Sequence, residues 1–461
     1  MAAAKTHSAP PVAGAWDRIA AAGVSPDAVA TLHAQCDRIA STLADADLAL
    51  SGLDACVAAS DDAAACVARL VEQPDRLAAL LTLLASSRAV ADQLAEEPHW
   101  FDAVHRDDRP PSRDTLVDEL LAELAGVTDP AVAADTLRRA KRRETTRIAY
   151  ADVVRGASVA AVSGQVSALA DAVLEAAVAF TRRRLDERFG VPLRRDGERA
   201  RFCVLALGKL GGAELNYSSD IDLVFLYDED GHTDHPRTTT NREYFDRLAQ
   251  ETLRLVGPAS TGGAGYRVDL RLRPDGSRAP ICQPLASMVA YYDTRGRTWE
   301  RQAFIKARAA AGDHDLGDEL LATLRPWVYR TYLSLADIAG IKALKRRIEH
   351  RSEREGADDR NVKTGRGGLR DVEFVIQFLQ LLNGGALPEV RTGNTLEAIE
   401  RLQRAGCLTP AERGRLEEGY HFLRRVEHRL QLLHDQQTHT LPDTPGELRA
   451  LAVRLGYDST G

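Results

Sequence analysis

The chain has little cysteine, few aromatic residues and no long uninterrupted apolar run, and each shortage excludes a class of protein. Its six cysteines, at 36, 56, 66, 203, 282 and 407, show no C-x-x-C spacing. Neither a disulfide scaffold nor a zinc site is expected, and a reducing cytoplasm fits. Nowhere do 18 uninterrupted apolar residues occur, and Met1 to Gly14, rich in Ala, Pro and Ser, has no apolar core of signal-peptide length. A soluble cytoplasmic protein without membrane contact is the expectation. A basic surplus is missing too: 60 Lys and Arg stand against 67 Asp and Glu, a formal charge of −7. A general nucleic-acid binder carries the opposite balance. With 5% aromatic residues, much alanine and 44% hydrophobic residues, the chain can build sizeable, mainly helical cores. Its 461 residues favour more than one domain.

What is present centres on Cys203 to Phe225, CVLALGKLGGAELNYSSDIDLVF. Cys203 to Leu207 is too short for a helix and is bounded by Gly208, which predicts a buried strand; Ile221 to Leu226 predicts a second. Side chains alternate along a strand, so Asp220 and Asp222 point the same way. Two like charges held together are typical of a divalent-cation site, because hard ions such as magnesium take carboxylate and phosphate oxygens. In Tyr266 to Leu272, apolar residues alternate with Arg267, Asp269, Arg271 and Arg273, which predicts a third strand carrying a third acid among arginines.

Elsewhere helices dominate. Leu77, Leu80, Leu81, Leu84, Val90 and Leu94 form one apolar face ended by Pro98. Val162, Val166, Leu169, Val173, Ala177 and Phe180 predict one long helix reaching Phe189, and Asn241 to Val256 predicts another. Gly262, Gly263 and Gly265 mark a loop. Beyond Pro280 the chain turns helical again. There Arg301, Lys306 and Arg308 are either phosphate contacts or surface cations. Lys363, Arg366, Gly367 and Gly368 precede a helix from Leu369 to Leu382, and two readings stand: the helix N–H groups hold an anion, or the glycines serve turn geometry alone. His421, His428, His434 and His439 lack both the spacing and the partners of a metal set.

These residues resemble the nucleotidyltransferase superfamily, with an apolar residue and Gly, a spacer, Asp-x-Asp and a later third acid. Lys209 departs from the usual small residue after the glycine. More narrowly, GKLGGAELNYSSDIDLVF, YRVDLRLRPDG, WERQAFIKARAAAGD, VKTGRGGLRDVEFVIQFLQL and HRLQLLHDQQTHTLP look like the glutamine synthetase adenylyltransferases, which attach and remove AMP on glutamine synthetase. The resemblance implies an α+β fold: a nucleotidyltransferase-like small β-sheet core with helices, flanked by largely α-helical amino- and carboxy-terminal domains. The corresponding blocks are a disordered tail (1–14), a helical region (15–133), the catalytic core (134–335) and a helical bundle (336–461), in a chain expected to continue into a second catalytic half.

It also implies Mg2+ held by Asp220, Asp222 and Asp269, with Asp269 a shared ligand or a base. Nucleotide or phosphate contacts are expected from Gly208, Lys209, Gly211, Gly212, Ser218, Ser219, Arg271, Arg273, Lys306, Arg308, Lys363 and Arg366. The implied partners are glutamine synthetase, a PII-type signalling protein, ATP or ADP, and phosphate. Glu214-Leu215-Asn216 with Ser218-Ser219-Asp220-Ile221-Asp222 follows the wording of the AMP-removing half, while Tyr217 is shared with the attaching half. A scaffold that only senses nucleotide is the alternative of another class; retention of all three acids speaks for an enzyme.

Overall fold

The computed structural model describes residues 16–106, 109–236, 238–259, 265–330, 360–434 and 436–457. The tail at 1–14, Gly262 and Gly263, and the stretch from Ala336 to residue 359 lie outside the described residues. Two compact units result, and they are not consecutive blocks of sequence. One comprises Met1–Pro110, Thr146–Ser158 and His428–Gly461; the other comprises Pro111–Thr145 and Val159–Glu427. Residues of both the amino-terminal region and the last part of the carboxy-terminal region belong to the first unit, while 111–133 and 336–427 belong to the second.

The first unit opens with short helices: α1 (Asp17–Ala21), α2 (Pro26–Ala40), α3 (Ala46–Ala58), α4 (Ala63–Glu72), α5 (Pro74–Ser86), α6 (Arg88–Glu96) and α7 (His99–Arg106). Side-chain oxygens of Ser25, Asp45, Asp62 and Ser87 accept amide hydrogens from the first turns of α2, α3, α4 and α6. Such caps are typically worth ~1 kcal/mol each. Ser87 explains why the apolar face from Leu77 to Leu94 is two helices: its extended backbone ends α5 while its hydroxyl caps α6. Leu32, Leu53, Val67, Leu77, Leu84 and Leu94 fill the core.

In the second unit, α8 (Arg113–Glu123), α9 (Pro130–Val153) and α10 (Val159–Phe189) precede the sheet; α9 continues past Thr145 into the residues of the first. By length and composition α10 could cross a membrane, yet it serves as a core helix, with Val162, Leu174 and Ala177 fully buried. The strands are β1 (Pro192–Leu193), β2 (Phe202–Leu207), β3 (Ile221–Tyr227), β4 (His232–Thr233), β5 (Val268–Asp269), β6 (Cys282–Pro284) and β7 (Arg308–Gly312). β1 pairs with β4, and the main sheet runs β5-β3-β2-β7. β2 is antiparallel to β3 and β7, whereas β5 and β6 are both parallel to β3. As β2 takes one edge of β3, β5 and β6 must follow one another along the other.

Period-two alternation gives this sheet two apolar faces. Cys203, Leu205, Leu207, Val224 and Leu226 join the cluster built by α13 (Leu285–Arg295), α14 (Thr298–Phe304), α15 (His314–Val328) and α16 (Leu369–Asn383). On the other face, Phe202 and Tyr227 stack with Phe245 of α12 (Asn241–Val256), and Phe225 stacks on Phe202. Three helices complete the described chain: α17 (Thr395–Arg404), α18 (Pro410–His434) and α19 (Pro445–Arg454).

Two expectations change. The third strand contracts to Val268–Asp269, because the Arg271 N–H turns back onto Asp269 Oδ1 at 2.8 Å and the Arg273 N–H onto the Leu270 carbonyl at 3.3 Å. Arg308 to Gly312, read as part of a helical stretch, is a strand: the small side chains of Ala309 to Ala311 fit beside β2 and are buried.

Candidate active site

Strand register assembles the acids. Asp222 on β3 is the partner of Asp269 on β5, and the Ile221 N–H donates to the Arg267 carbonyl at 2.9 Å. Asp220 lies one residue before β3. Burial, then the Asp269 and Asp220 charges, push the Asp222 carboxyl up to about 6. Asp269 moves the other way, chiefly because the Arg271 guanidinium hydrogen-bonds it, Nε to Oδ2 at 2.8 Å. Arg267 binds Asp220, its Nε donating to Oδ1 at 2.7 Å, and its Nη2 donates to the Ser218 carbonyl at 2.6 Å. Ser219 closes the turn through its N–H to the Asn216 carbonyl at 3.5 Å.

Gly208 ends β2 opposite this group with φ +56°. A β-carbon there would come closer than 3.0 Å to Asp222 Oδ2, and one at Gly211 would collide with the Lys306 carbonyl. Small size at these positions thus serves carboxylate placement and chain approach, within the one-turn helix Gly208–Gly211. A β-carbon on Gly212 would likewise lie 2.7 Å from the Gly393 carbonyl.

The donor set fits a divalent cation in its chemistry: Asp222 and Asp269 are paired on neighbouring strands with Asp220 two residues away, and burial, then repulsion from the other two acids, raises Asp222. As they stand, two of the three are turned to arginines, and among the described residues no three acid, imidazole or thiol groups are gathered as a metal cage. Arg267 and Arg271 supply the positive charge.

Several expected phosphate contacts have other partners. Lys209 Nζ lies 3.0 Å from both carboxylate oxygens of fully buried Glu427; burial brings its pKa down to about 8 despite that acid. Lys306 pairs with Glu214, which also accepts the Thr395 N–H and hydroxyl, each at 3.0 Å. Burial opposes the Lys306 ammonium, but Glu214 and Glu373 outweigh it and raise its pKa. Arg424 donates to the Glu214 carbonyl at 2.7 Å. Arg308 binds Asp171 at 2.8 Å and the Leu210 carbonyl at 2.9 Å. Arg301 is buried, with its guanidinium over the Trp327 ring at 5.9 Å. Each of these cations has a partner within the protein. Arg273 likewise donates to the Leu270 and Ala279 carbonyls.

The N-terminus of α16 is also engaged. N–H groups of Leu369, Arg370 and Asp371 bond the carbonyls of Val362, Lys363 and Gly368 at 2.9 to 3.0 Å, so they are not the free anion site expected. Lys363 is near enough to lower the Asp222 pKa, while Arg366 is exposed. Sequence reasoning missed Arg267 as the partner of Asp220, although its place in the alternating run was a signal. It also missed Glu427, 218 residues from Lys209, for which no local signal exists.

A sequence profile for glutamate-ammonia ligase adenylyltransferase matches residues 77–323, more than half of the chain, and one for GlnD PII-uridylyltransferase matches residues 342–461. Among curated relatives, a bifunctional glutamine synthetase adenylyltransferase/adenylyl-removing enzyme of Pseudomonas aeruginosa is 38% identical over 426 residues, 91% of this chain and 43% of the relative. The same-named protein of Stenotrophomonas maltophilia strain R551-3 is 40% identical over 358 residues, 75% of this chain and 38% of its own length. The chain thus spans about two fifths of the length of the curated relatives it matches. Sheet, acids and profile agree, and the chain belongs to the glutamate-ammonia ligase adenylyltransferase family.

Proposed function

We propose that the acids at the start of β3 transfer an adenylyl group, and that this chain works in the removing direction. It takes AMP from an adenylylated tyrosine of glutamine synthetase with orthophosphate, giving ADP, in the cytoplasm. The carrying observation is the pairing of Asp222 with Asp269, which sets these two carboxylates on neighbouring strands with Asp220 two residues from Asp222. In the reaction an oxygen of orthophosphate bonds to the AMP phosphorus, the bond from phosphorus to the tyrosine oxygen breaks, and the phenol recovers a proton. Magnesium held by Asp220, Asp222 and Asp269 would neutralise charge on the phosphoryl oxygens.

The residues themselves have separable tasks. Gly208 leaves room for the Asp222 carboxylate, and Arg267 fixes Asp220 to the Ser218 turn. Asp269, kept ionised by Arg271, suits charge provision better than proton abstraction. Lys363 adds positive charge facing Asp222. Direction rests on the Glu214-Leu215-Asn216 and Ser218-to-Asp222 wording.

The test gives the protein adenylylated glutamine synthetase, magnesium and phosphate, and measures ADP. A parallel reaction offers unmodified glutamine synthetase and labelled ATP. Attachment of label without phosphate-dependent release would show that the direction is reversed. The match of residues 342–461 to a PII-uridylyltransferase profile supports a PII-type protein as regulator; undetectable binding of uridylylated PII protein would count against that partner.

Occupation of Asp220 and Asp269 by arginines favours a second reading, a scaffold that senses nucleotide without turnover. Magnesium-dependent ATP binding without turnover of either form of glutamine synthetase would establish it.

A further inference from the structure

A cavity of 830 Å³ opens along the edge of the main sheet, where β6 follows β5 and Arg271 is among its walls. Its size is in the range of small-molecule sites. Five arginines and three acids line it. The acids are largely engaged: Asp275 pairs with Arg295 at 3.1 Å, Asp230 accepts the Tyr227 hydroxyl at 2.6 Å, and Glu300 accepts the Arg297 N–H at 2.7 Å and the Tyr291 hydroxyl at 2.9 Å. Burial also pushes the Glu300 carboxyl up. Arg242 and Arg278 are exposed cations in the wall with no acid pairing them among the described residues. Arg273 adds a buried Nε without a hydrogen-bond partner.

We propose that this cavity binds a phosphate-class oxyanion, and that Arg271 is shared between that anion and Asp269. Planar guanidinium groups match the oxygens of such a ligand. Arg271 lines the cavity while holding Asp269, with most of its side chain exposed, so it can swing without disturbing the core. A cation that claims Asp269 frees Arg271 for the anion, and an anion that draws Arg271 away opens Asp269 to the cation. The two ligands therefore bind with positive coupling, which is reciprocal by linkage. This rests on the adenylyl-transfer reading: there the anion is the attacking orthophosphate, or the polyphosphate of the ADP product.

Calorimetric titration of the whole chain with inorganic phosphate, and separately with ADP, each with and without magnesium, tests it. In the exposed pair Arg242→Gln/Arg278→Gln, phosphate affinity should fall at least about ten-fold, the value of one lost charge-assisted hydrogen bond. Thermal unfolding checks that the fold is kept. If ADP affinity falls in parallel and ADP displaces phosphate, the polyphosphate is a source; if ADP is unaffected, free phosphate is the ligand. Arg271→Gln should weaken phosphate and tighten magnesium measured without nucleotide. Phosphate affinity unchanged within two-fold in the double variant, or no phosphate binding by the unaltered chain, overturns the proposal. Loss of AMP release with these binding results intact would instead overturn the functional reading alone.

Discussion

Gly208 and Asp222 stand so close that the glycine cannot carry a side chain: a β-carbon there would meet the Asp222 carboxylate oxygen at less than 3.0 Å. Its φ of +56° adds a backbone cost of about 1–2 kcal/mol for any L-residue. Gly208→Ala should therefore lose both stability and adenylyl transfer. Gly126→Ala is the control, since Gly126 has φ +77° and nothing near its β-carbon position. Thermal unfolding should show strain in both variants, whereas only Gly208→Ala should abolish activity.

Asp220→Asn and Asp222→Asn should each abolish transfer with the fold intact, because an amide supplies no charge for a cation. Circular dichroism beside ADP release checks this, and near-normal turnover in both would remove the assignment.

Asp222 also gives a pH signature. Its folded carboxyl titrates at about 6, above the ordinary carboxylate value of about 3.9. The folded state then binds more protons than the unfolded state between those values, so this group's contribution to stability falls as pH rises from about 4 to about 6. Urea unfolding across that range without divalent cations should show a decline in the unaltered protein that Asp222→Asn reduces. Equal slopes would show that the Asp222 carboxyl is not raised in the folded protein.

Lys209 and Glu427 form a largely buried pair. Removing one partner leaves the other charge unpaired, which typically costs about 3–5 kcal/mol. Glu427→Gln should approach that value in urea unfolding, while Lys209→Met/Glu427→Leu should cost less than the two single changes summed.

Thr395→Val removes one of the donors to the buried Glu214 carboxylate but keeps the Thr395 N–H bond. A loss of about 1–3 kcal/mol follows from leaving a buried carboxylate under-bonded. Thr395→Ser should restore most of it, since only a methyl group is missing.

Much of the candidate site was legible locally. The strands β2 and β3 announce themselves through short apolar runs, the first ended by Gly208, and the long helix α10 and the helix Asn241–Val256 through their spacing. These signals are short-range, set by backbone geometry and side-chain alternation. The acidic trio was legible as three residues, but its assembly was not: only the parallel register of β3 and β5 brings Asp269 beside Asp222. The fate of the cations was less accessible still. A lysine in a glycine-rich turn looks the same in sequence whether it meets phosphate or a carboxylate. Lys209 finds Glu427, Lys306 finds Glu214 and Arg308 finds Asp171 only because helices distant in sequence pack onto the turn. Burial then makes an unpaired charge too costly, so each cation takes the acid that folding delivers. Amino-acid order determined the elements and the chemistry available; tertiary packing decided which charges were neutralised inside the fold and which remained to face a ligand.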